Sequence, residues 1–291
     1  GINRDEASIG FTAYSLLHTG KDEYGRTYPL SFQSFGDWKL PLYVYTTIPF
    51  VKIFGLTETA VRLPSALAGI LTVLLTFFLV RELFGKTSLA LLATALLAIA
   101  PWHLHLSRVE SESNVTVFLV VLALLLFLKG LKRPWFMGLS LPIFALTYYT
   151  YHGNHIFTTL LILGLSIIYA RDIPKTKYLL VGVAIFTLLA GFIFSQAFLS
   201  ADKTKISGIS IFGNPTVVHE KIELPRNEHP NPNSLISRFF HNRILYSLET
   251  VFQNYLKAFS PEFLFISGGG NRAHNIANFG NMYLVEAPFF F

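Results

Sequence analysis

Long stretches without Asp, Glu, Lys or Arg constrain the fold of this chain more than any other feature. Five of them stand out: Leu63–Val80, Thr87–Ser107, Ser113–Leu128, Pro134–Ala170 and Tyr178–Ala201. A helix that crosses a bilayer needs roughly 20 apolar residues, because it must satisfy its own backbone hydrogen bonds in lipid. The fourth stretch is too long for one crossing, and a polar aromatic turn containing a glycine at 148–155 predicts a break there. The sequence therefore predicts six membrane spans.

The composition agrees with a membrane protein that is all-α and polytopic. Hydrophobic residues make up 52% of the 291 positions, and charged residues make up 14%, against roughly 25% in an ordinary soluble domain. These values exclude a disordered chain, a coiled coil and a typical soluble enzyme. The chain has no cysteine, which excludes disulfides, thiolate-bound metals and a thiol nucleophile.

The basic residues between the spans predict the orientation of the bundle. The first, third and fifth inter-span loops carry two, three and three Lys or Arg residues, whereas the second and fourth carry one and none. Basic loops face the cytoplasm, so residues 1–40, 103–112, 148–155 and 202–291 are predicted to face the exterior. The net charge of +6 is thus explained by orientation in membrane lipids, and no nucleic-acid partner is expected.

Three regions follow from this orientation. Residues 1–59 are predicted to form an exterior catalytic loop with juxtamembrane helices, 60–201 a six-span bundle, and 202–291 an exterior loop domain leading into a further span. Within the first region, Leu40–Phe54 is interpreted as a helix or helix pair at the outer interface, with Tyr43 and Tyr45 at headgroup level. In the last region, apolar residues at helical spacing predict an amphipathic helix over Ser237–Phe259.

Two polar clusters lie at the exterior side of the first region. Asp5 and Glu6 are adjacent acids that could act as a general base or hold a divalent cation, although acids also favour the first turn of a solvated helix. Lys39, beside an aromatic residue, could bind a phosphate or simply extend its ammonium group to the interface.

Two further clusters are predicted on the same side. Arg108 and Glu112 stand at the mouth of a span, where charges are costly unless they are paired or face a water-filled cavity. Arg272 and His274 follow three glycines and could bind a phosphate, or belong to a solvated loop. Together the four clusters suit a lipid-linked anionic substrate whose tail stays in the bilayer. A transporter would instead place polar residues near the midplane, where the predicted spans are almost uniformly apolar.

These clusters occur in the order and spacing of a known enzyme family. The strings that carry the likeness are Asp5-Glu6-Ala7, Lys39 with Pro41, Arg62–Gly69 (RLPSALAG), Ser107-Arg108 followed by Glu112 and Asn114, Tyr149–His152 (YTYH), Tyr255–Phe265, Arg272-Ala273-His274 and Gly280. The chain resembles the membrane glycosyltransferases of family 39, relatives of protein O-mannosyltransferases and of the aminoarabinose transferase of lipid A. The resemblance implies a helical bundle of the GT-C type.

The resemblance also implies an activity and roles for the clustered residues. The donor would be a polyprenyl-phosphate sugar, and the acceptor a protein or a glycolipid on the exterior side. Asp5 would be the general base of an inverting transfer, and Glu6 would support it or share a divalent cation. The donor phosphate would be neutralised by basic residues, namely Lys39, Arg108 and Arg272, with help from His274. Many relatives carry an Asp where this chain has Glu110 and Glu112, so either glutamate could take that role.

The same likeness implies that further spans precede and follow the sequence, and that the protein lies in the plasma membrane of a prokaryote. It does not determine whether a metal ion is needed. Two alternatives stay open: an oligosaccharide ligase or polymerase that acts on lipid-linked glycans, and a lipid or solute transporter without enzymatic activity.

Overall fold

The computed structural model describes residues 2–35, 37–199, 219–228, 231, 234–269 and 279–290. The described residues divide into two units. One lies within Gly1–Gln196, and the other comprises the described parts of 197–270 and 277–291. The predicted division at 59–60 falls inside the first unit, within a single helix that runs over Glu58–Phe84. The three-region scheme thus stays a prediction.

The first unit contains nine helices and one short hairpin among its described residues. In chain order they are α1 (Arg4–Thr19), β1 (Phe32–Ser34), β2 (Asp37–Lys39), α2 (Pro41–Phe54), α3 (Glu58–Phe84), α4 (Thr87–Ile99), α5 (Pro101–Arg108), α6 (Glu112–Lys132), α7 (Trp135–Leu146), a 3₁₀ turn (Thr147–Tyr149), α8 (Asn154–Ile168) and α9 (Lys177–Leu199). The all-α fold class predicted from the sequence is confirmed, and the hairpin is a small addition to it.

Helix α1 begins and ends at residues suited to those positions. The Asn3 side chain accepts from the Glu6 backbone N–H, and the Glu6 carboxylate accepts from the Asn3 backbone N–H, each at 2.8 Å. This reciprocal pair satisfies two N–H groups that a helix start otherwise leaves unpaired. The helix ends at Gly20, whose φ of 68° is the left-handed conformation that glycine adopts without strain.

Helix α2 confirms the prediction of a helix at Leu40–Phe54, starting at Pro41, where a missing N–H costs nothing. The prediction that Tyr43 lies at headgroup level is wrong. Its side chain is fully buried, and its hydroxyl donates to the Val61 carbonyl at 3.0 Å. Tyr43 instead joins a core with Ile9 and Val44 that packs α1, α2 and α3 together. The Tyr45 hydroxyl donates to the Pro29 carbonyl at 2.9 Å.

The six predicted spans correspond to six apolar helical segments, which differ in length. Among the described residues, α3, α6 and the 177–195 part of α9 are long and apolar enough to cross a membrane. Helices α4 and α5 form a fourth such segment if they are one span, bent by 56° at Ala100, the residue before a proline. The segments Trp135–Tyr149 and Asn154–Ile168 are shorter than a straight crossing needs. The predicted break between them is confirmed, whereas length alone does not support six crossings.

The N-terminal ends of α3 and α6 and the C-terminal end of α5 are held together by a polar contact and a close approach. Asn114, fully buried, donates through Nδ2 to the Ser65 carbonyl at 2.8 Å and to its hydroxyl at 3.1 Å. Gly69 lies so near Ser107 that a Cβ added there would come within 2.8 Å of the serine Cβ. Since α6 starts at Glu112, these contacts position the loop that precedes it.

The second unit is described by itself. It contains a π-helical turn (His219–Glu223), α10 (Leu224–Asn227), α11 (Leu235–Phe240), α12 (Arg243–Ala258), a second π-helical turn (Glu262–Ile266), a 3₁₀ turn (Leu284–Glu286) and α13 (Ala287–Phe290). The amphipathic helix predicted over Ser237–Phe259 is interrupted at His241 and Asn242, because the Asn242 side chain accepts from the Leu245 N–H and begins a new helix.

Candidate active site

The centre of the candidate site is an ion pair between α1 and the hairpin. Lys39, the last residue of β2, places Nζ 3.3 Å from Oδ1 of Asp5 in the first turn of α1. The lysine side chain is 12% exposed and the aspartate side chain 42% exposed. The pair therefore joins a nearly buried cation to a carboxylate that solvent or a substrate can reach. This contact unites the first two clusters predicted from the sequence.

Lys39 is surrounded by negative charge. Burial alone would lower its pKa, but Glu110, Glu112 and Asp5 outweigh that effect and raise the pKa of the ammonium above its ordinary value. The lysine therefore stays protonated, as a cation that binds a phosphate must. Its strand is supported by His152, whose Nε2 lies 3.0 Å from the Trp38 carbonyl.

Glu6 is fully buried and faces a different partner from its neighbour Asp5. Its Oε1 accepts from Arg62 Nε at 2.5 Å, and its Oε2 accepts from Arg62 Nη2 at 2.9 Å. The backbone N–H of Glu110 also donates to Oε1, at 3.2 Å. Burial would raise the pKa of Glu6, but these hydrogen bonds and the Arg62 charge lower it. The ionised Glu6 carboxylate therefore links α1 to α3 and to the loop 109–111.

Arg62 is not among the site residues predicted from the sequence, where it is only the first residue of the string Arg62–Gly69 that carries the family likeness. It pairs with Glu6 on one side and with Glu58, one turn earlier on α3, on the other. A signal was nevertheless present. A cation in the first turns of a helix opposes the helix dipole, and at an exterior end it goes against the positive-inside pattern. Such an arginine is expected to have an acidic partner.

Glu110 emerges as the second carboxyl of the site. It is 8% exposed, and within the described parts of the chain its Oε1 has no hydrogen-bond partner. Burial raises its pKa to about 7, a rise that Lys39 opposes and that Asp5 and Glu6 reinforce. Near neutral pH this group can hold or release a proton close to the Asp5–Lys39 pair. Glu112, the first residue of α6, adds negative charge around Lys39.

The structure places no other predicted site residue at this centre among the residues that it describes. Arg108 is exposed at the end of α5, and no ion pair involving it occurs in the part of the chain that the structure describes. Arg272 and His274 lie outside the described residues. In the described ranges, no group of three or more His, Asp or Glu residues is arranged to hold a metal ion.

The arrangement combines three chemical capabilities. The Asp5 carboxylate can accept a proton, the Lys39 ammonium can neutralise an anion, and the Glu6–Arg62 tie fixes the helix that carries Asp5. A proton acceptor beside a fixed cation suits a displacement in which an alcohol loses a proton while a phosphate departs.

Comparison with known proteins gives the same class of chemistry. The model of the family "Dolichyl-phosphate-mannose-protein mannosyltransferase" matches residues 39–194, just over half of the chain. Over 81 residues the chain is 36% identical to a curated protein of Bacillus subtilis (strain 168) named "Putative mannosyltransferase YkcB". That match covers 28% of this chain and 11% of the relative.

Two solved structures share the fold. Both are ArnT from Cupriavidus metallidurans, one in the apo state and one bound to undecaprenyl phosphate, each with a TM-score of 0.54 and 16% sequence identity. The apo structure covers 79% of this chain and the bound one 88%, and the chain spans 48% and 45% of their lengths. The likeness extends to the arrangement of helices across most of the chain, and the GT-C type of bundle predicted from the sequence is confirmed.

Proposed function

Because the chain belongs to the dolichyl-phosphate-mannose-protein mannosyltransferase family, we propose that it moves a sugar from a polyprenyl-phosphate donor to an acceptor on the exterior side of the membrane. The observation that carries this proposal is the Asp5–Lys39 pair, a solvent-accessible base against a nearly buried cation. The transfer inverts the anomeric centre, because one base activates one acceptor for a single displacement.

In this reaction the acceptor hydroxyl attacks the anomeric carbon and gives its proton to Asp5. The bond between that carbon and the phosphate oxygen breaks, and the phosphate leaves with the bonding electrons. Negative charge on the phosphate therefore grows as the reaction proceeds. A fixed cation at Lys39 stabilises this developing charge more than it stabilises the bound donor, which lowers the barrier.

The other acids and cations have supporting roles in this proposal. Glu6 and Arg62 position Asp5 by fixing the first turn of α1. The Glu6 carboxylate also accepts a hydrogen bond from the backbone N–H of Glu110. Glu110 and Glu112 keep Lys39 protonated. Further contacts to the donor phosphate are assigned to three other residues: Arg108, which is exposed at the end of α5, and Arg272 and His274, which lie outside the described residues.

The lipid part of the donor is supported by the similar structure of ArnT, which holds undecaprenyl phosphate. It is also supported by the three helices among the described residues that are long and apolar enough to cross a membrane. We assign the protein to the plasma membrane of a prokaryote, with the site at its exterior face. The acceptor is a protein or a glycolipid.

The experiment is a transfer assay on the purified full-length protein with a labelled polyprenyl-phosphate mannose, with and without a chelator. The proposal predicts release of polyprenyl phosphate together with a glycosylated acceptor of inverted anomeric configuration, determined by NMR. Retained configuration would contradict a single displacement with Asp5 as base. Movement of intact labelled donor across vesicles without release of polyprenyl phosphate would identify a transporter instead. Loss of transfer with chelator would add a divalent cation to the mechanism.

A further inference from the structure

The tip of the hairpin carries an aromatic residue in an unfavourable conformation. The chain reverses between the paired residues Ser34 and Asp37, and Phe35 is the first residue of that turn. Phe35 has a φ of 47°, in the left-handed region. Two-residue hairpin turns of this kind favour asparagine, aspartate or glycine at that position, because their small or absent side chains tolerate positive φ. A phenylalanine there is strained where a smaller residue would not be.

The strain is not offset by burial of the ring. Phe35 is 61% exposed, so it gains little from the hydrophobic effect. Its ring faces the guanidinium of Arg4, whose central carbon lies 4.9 Å from the ring centroid. Arg4 is also exposed, and no ion pair of Arg4 occurs among the residues that the structure describes. Backbone strain of this kind clusters at active sites and ligand-binding segments, and Phe35 differs from other strained residues such as Tyr28 in its contact with the residue beside Asp5.

The position of this pair relates it to the candidate active site. Arg4 directly precedes Asp5 in α1, and Phe35 lies four residues before Lys39 on the same hairpin. The start of α1 and the hairpin therefore meet twice, at Asp5–Lys39 and at Arg4–Phe35. At about 3.3 Å per residue, the tip lies within roughly 13 Å of Lys39 along the strand. An acceptor whose hydroxyl reaches Asp5 can also reach this pair.

We propose that Phe35 and Arg4 form an acceptor-binding subsite for a sugar that carries an anionic group such as a phosphate. An aromatic ring offers a flat apolar surface to the face of a sugar ring, and a guanidinium binds phosphate or carboxylate through two parallel hydrogen bonds. This inference rests on the proposed transfer reaction and selects the acceptor class within it. A phosphorylated glycolipid and a soluble sugar phosphate share this chemistry, whereas an unmodified protein does not.

The test measures acceptor kinetics of the full-length protein with a fixed donor. The acceptors are a lipid-linked disaccharide phosphate, the soluble disaccharide phosphate, the neutral disaccharide and a Ser/Thr peptide. Phe35→Gly removes the ring in a residue type that accepts positive φ, so folding is retained. The matched control is Tyr28→Gly, which also replaces an exposed aromatic with positive φ (63% exposed, φ 41°). Tyr28 contacts Gly20 at the far end of α1.

We expect Phe35→Gly to raise the acceptor KM about tenfold, the size of one aromatic contact, with kcat and the donor KM nearly unchanged. Its thermal stability should equal or exceed that of the parent protein. Arg4→Gln should raise KM for the phosphorylated disaccharides and leave KM for the neutral disaccharide unchanged. Equal KM values for the lipid-linked and soluble phosphates would identify the headgroup as the recognised part, and a lower KM for the lipid-linked form would add the lipid.

The inference is overturned if Phe35→Gly matches Tyr28→Gly in acceptor KM, if Arg4→Gln affects neutral and phosphorylated acceptors equally, or if only the peptide accepts sugar. The parent protein is the internal reference for these outcomes. If it transfers no sugar to any acceptor, the proposed function fails. If it transfers sugar and the variants are unaffected, only the subsite is wrong.

Discussion

Replacement of Arg62 by methionine tests the tie that positions the base. The substitution removes both side-chain donors to Glu6, at 2.5 and 2.9 Å, and leaves a carboxylate whose side chain is 0% exposed. Within the described ranges, its remaining donors are the backbone N–H groups of Asn3 and Glu110. Breaking a buried pair by removal of one partner costs about 3–5 kcal/mol. The two remaining hydrogen bonds favour the lower value, about 3 kcal/mol.

The second ion pair of Arg62 provides the control. Glu58 also pairs with Arg62, but its side chain is 44% exposed, and exposed pairs of this spacing contribute about 0.3–0.5 kcal/mol. Glu58→Gln should therefore have little effect. Thermal unfolding in detergent at a fixed protein concentration provides the measurement. For a chain of this size, about 3 kcal/mol corresponds to a fall of roughly 6–12 °C in Tm.

A pH series and a double variant separate the charge effect from lost packing. In the parent protein the pKa of Glu6 is lower than in the unfolded chain. Its contribution to stability is therefore present at pH values above the pKa of the unfolded chain, and it is lost as pH falls through the lower pKa of the folded protein. In Arg62→Met the unpaired carboxyl has a raised pKa, so acidification should restore stability. Glu6→Gln combined with Arg62→Met should be more stable than Arg62→Met alone at neutral pH. Equal Tm values for Arg62→Met and Glu58→Gln would refute the reasoning.

Two further outcomes follow from the site. Lys39→Met should lower kcat roughly 10²–10³-fold, because the developing phosphate charge loses its fixed cation. Lys21→Met replaces an exposed lysine in the segment between α1 and β1 and should leave the transfer rate unchanged. Glu110 has its pKa raised from 4.5 to about 7, so the folded protein holds this proton more tightly than the unfolded chain does. Its stabilising contribution is therefore fully present below pH 4.5 and is lost as the pH rises to about 7. Glu110→Gln should abolish that part of the pH dependence, as measured by Tm between pH 4.5 and 8.

The helices were predictable because their signals are local. The apolar stretches, the break at 148–155 and the start of α2 at Pro41 each depend on a few consecutive residues, and the structure confirms them. Whether a segment crosses the membrane depends on more than hydropathy. The segments 135–149 and 154–168 are apolar but short, and the sequence alone does not set how such helices cross.

The site was only partly predictable, because its key contacts join residues far apart in sequence. Asp5 and Lys39 each had a signal in the sequence, but their contact depends on the hairpin, whose two strands have three residues each. Arg62 and Arg108 both lie near ends of helices that the sequence predicts to face the exterior. Only tertiary packing decides that Arg62 binds Glu6, 56 residues away, and that Arg108 stays exposed. Tyr43 was interpreted as interfacial because nothing local reveals that Val61 accepts its hydroxyl.

The assignment of Asp5 as the general base is tested most directly by the transfer rate of Asp5→Asn. The asparagine keeps the shape of the side chain but cannot accept the proton of the acceptor hydroxyl. Under saturating donor and acceptor, kcat should fall roughly 10²–10⁴-fold, the contribution of a positioned base. Glu23→Gln, an exposed acid in the loop after α1, should retain the rate of the parent protein. An Asp5→Asn enzyme with unchanged kcat would contradict the account.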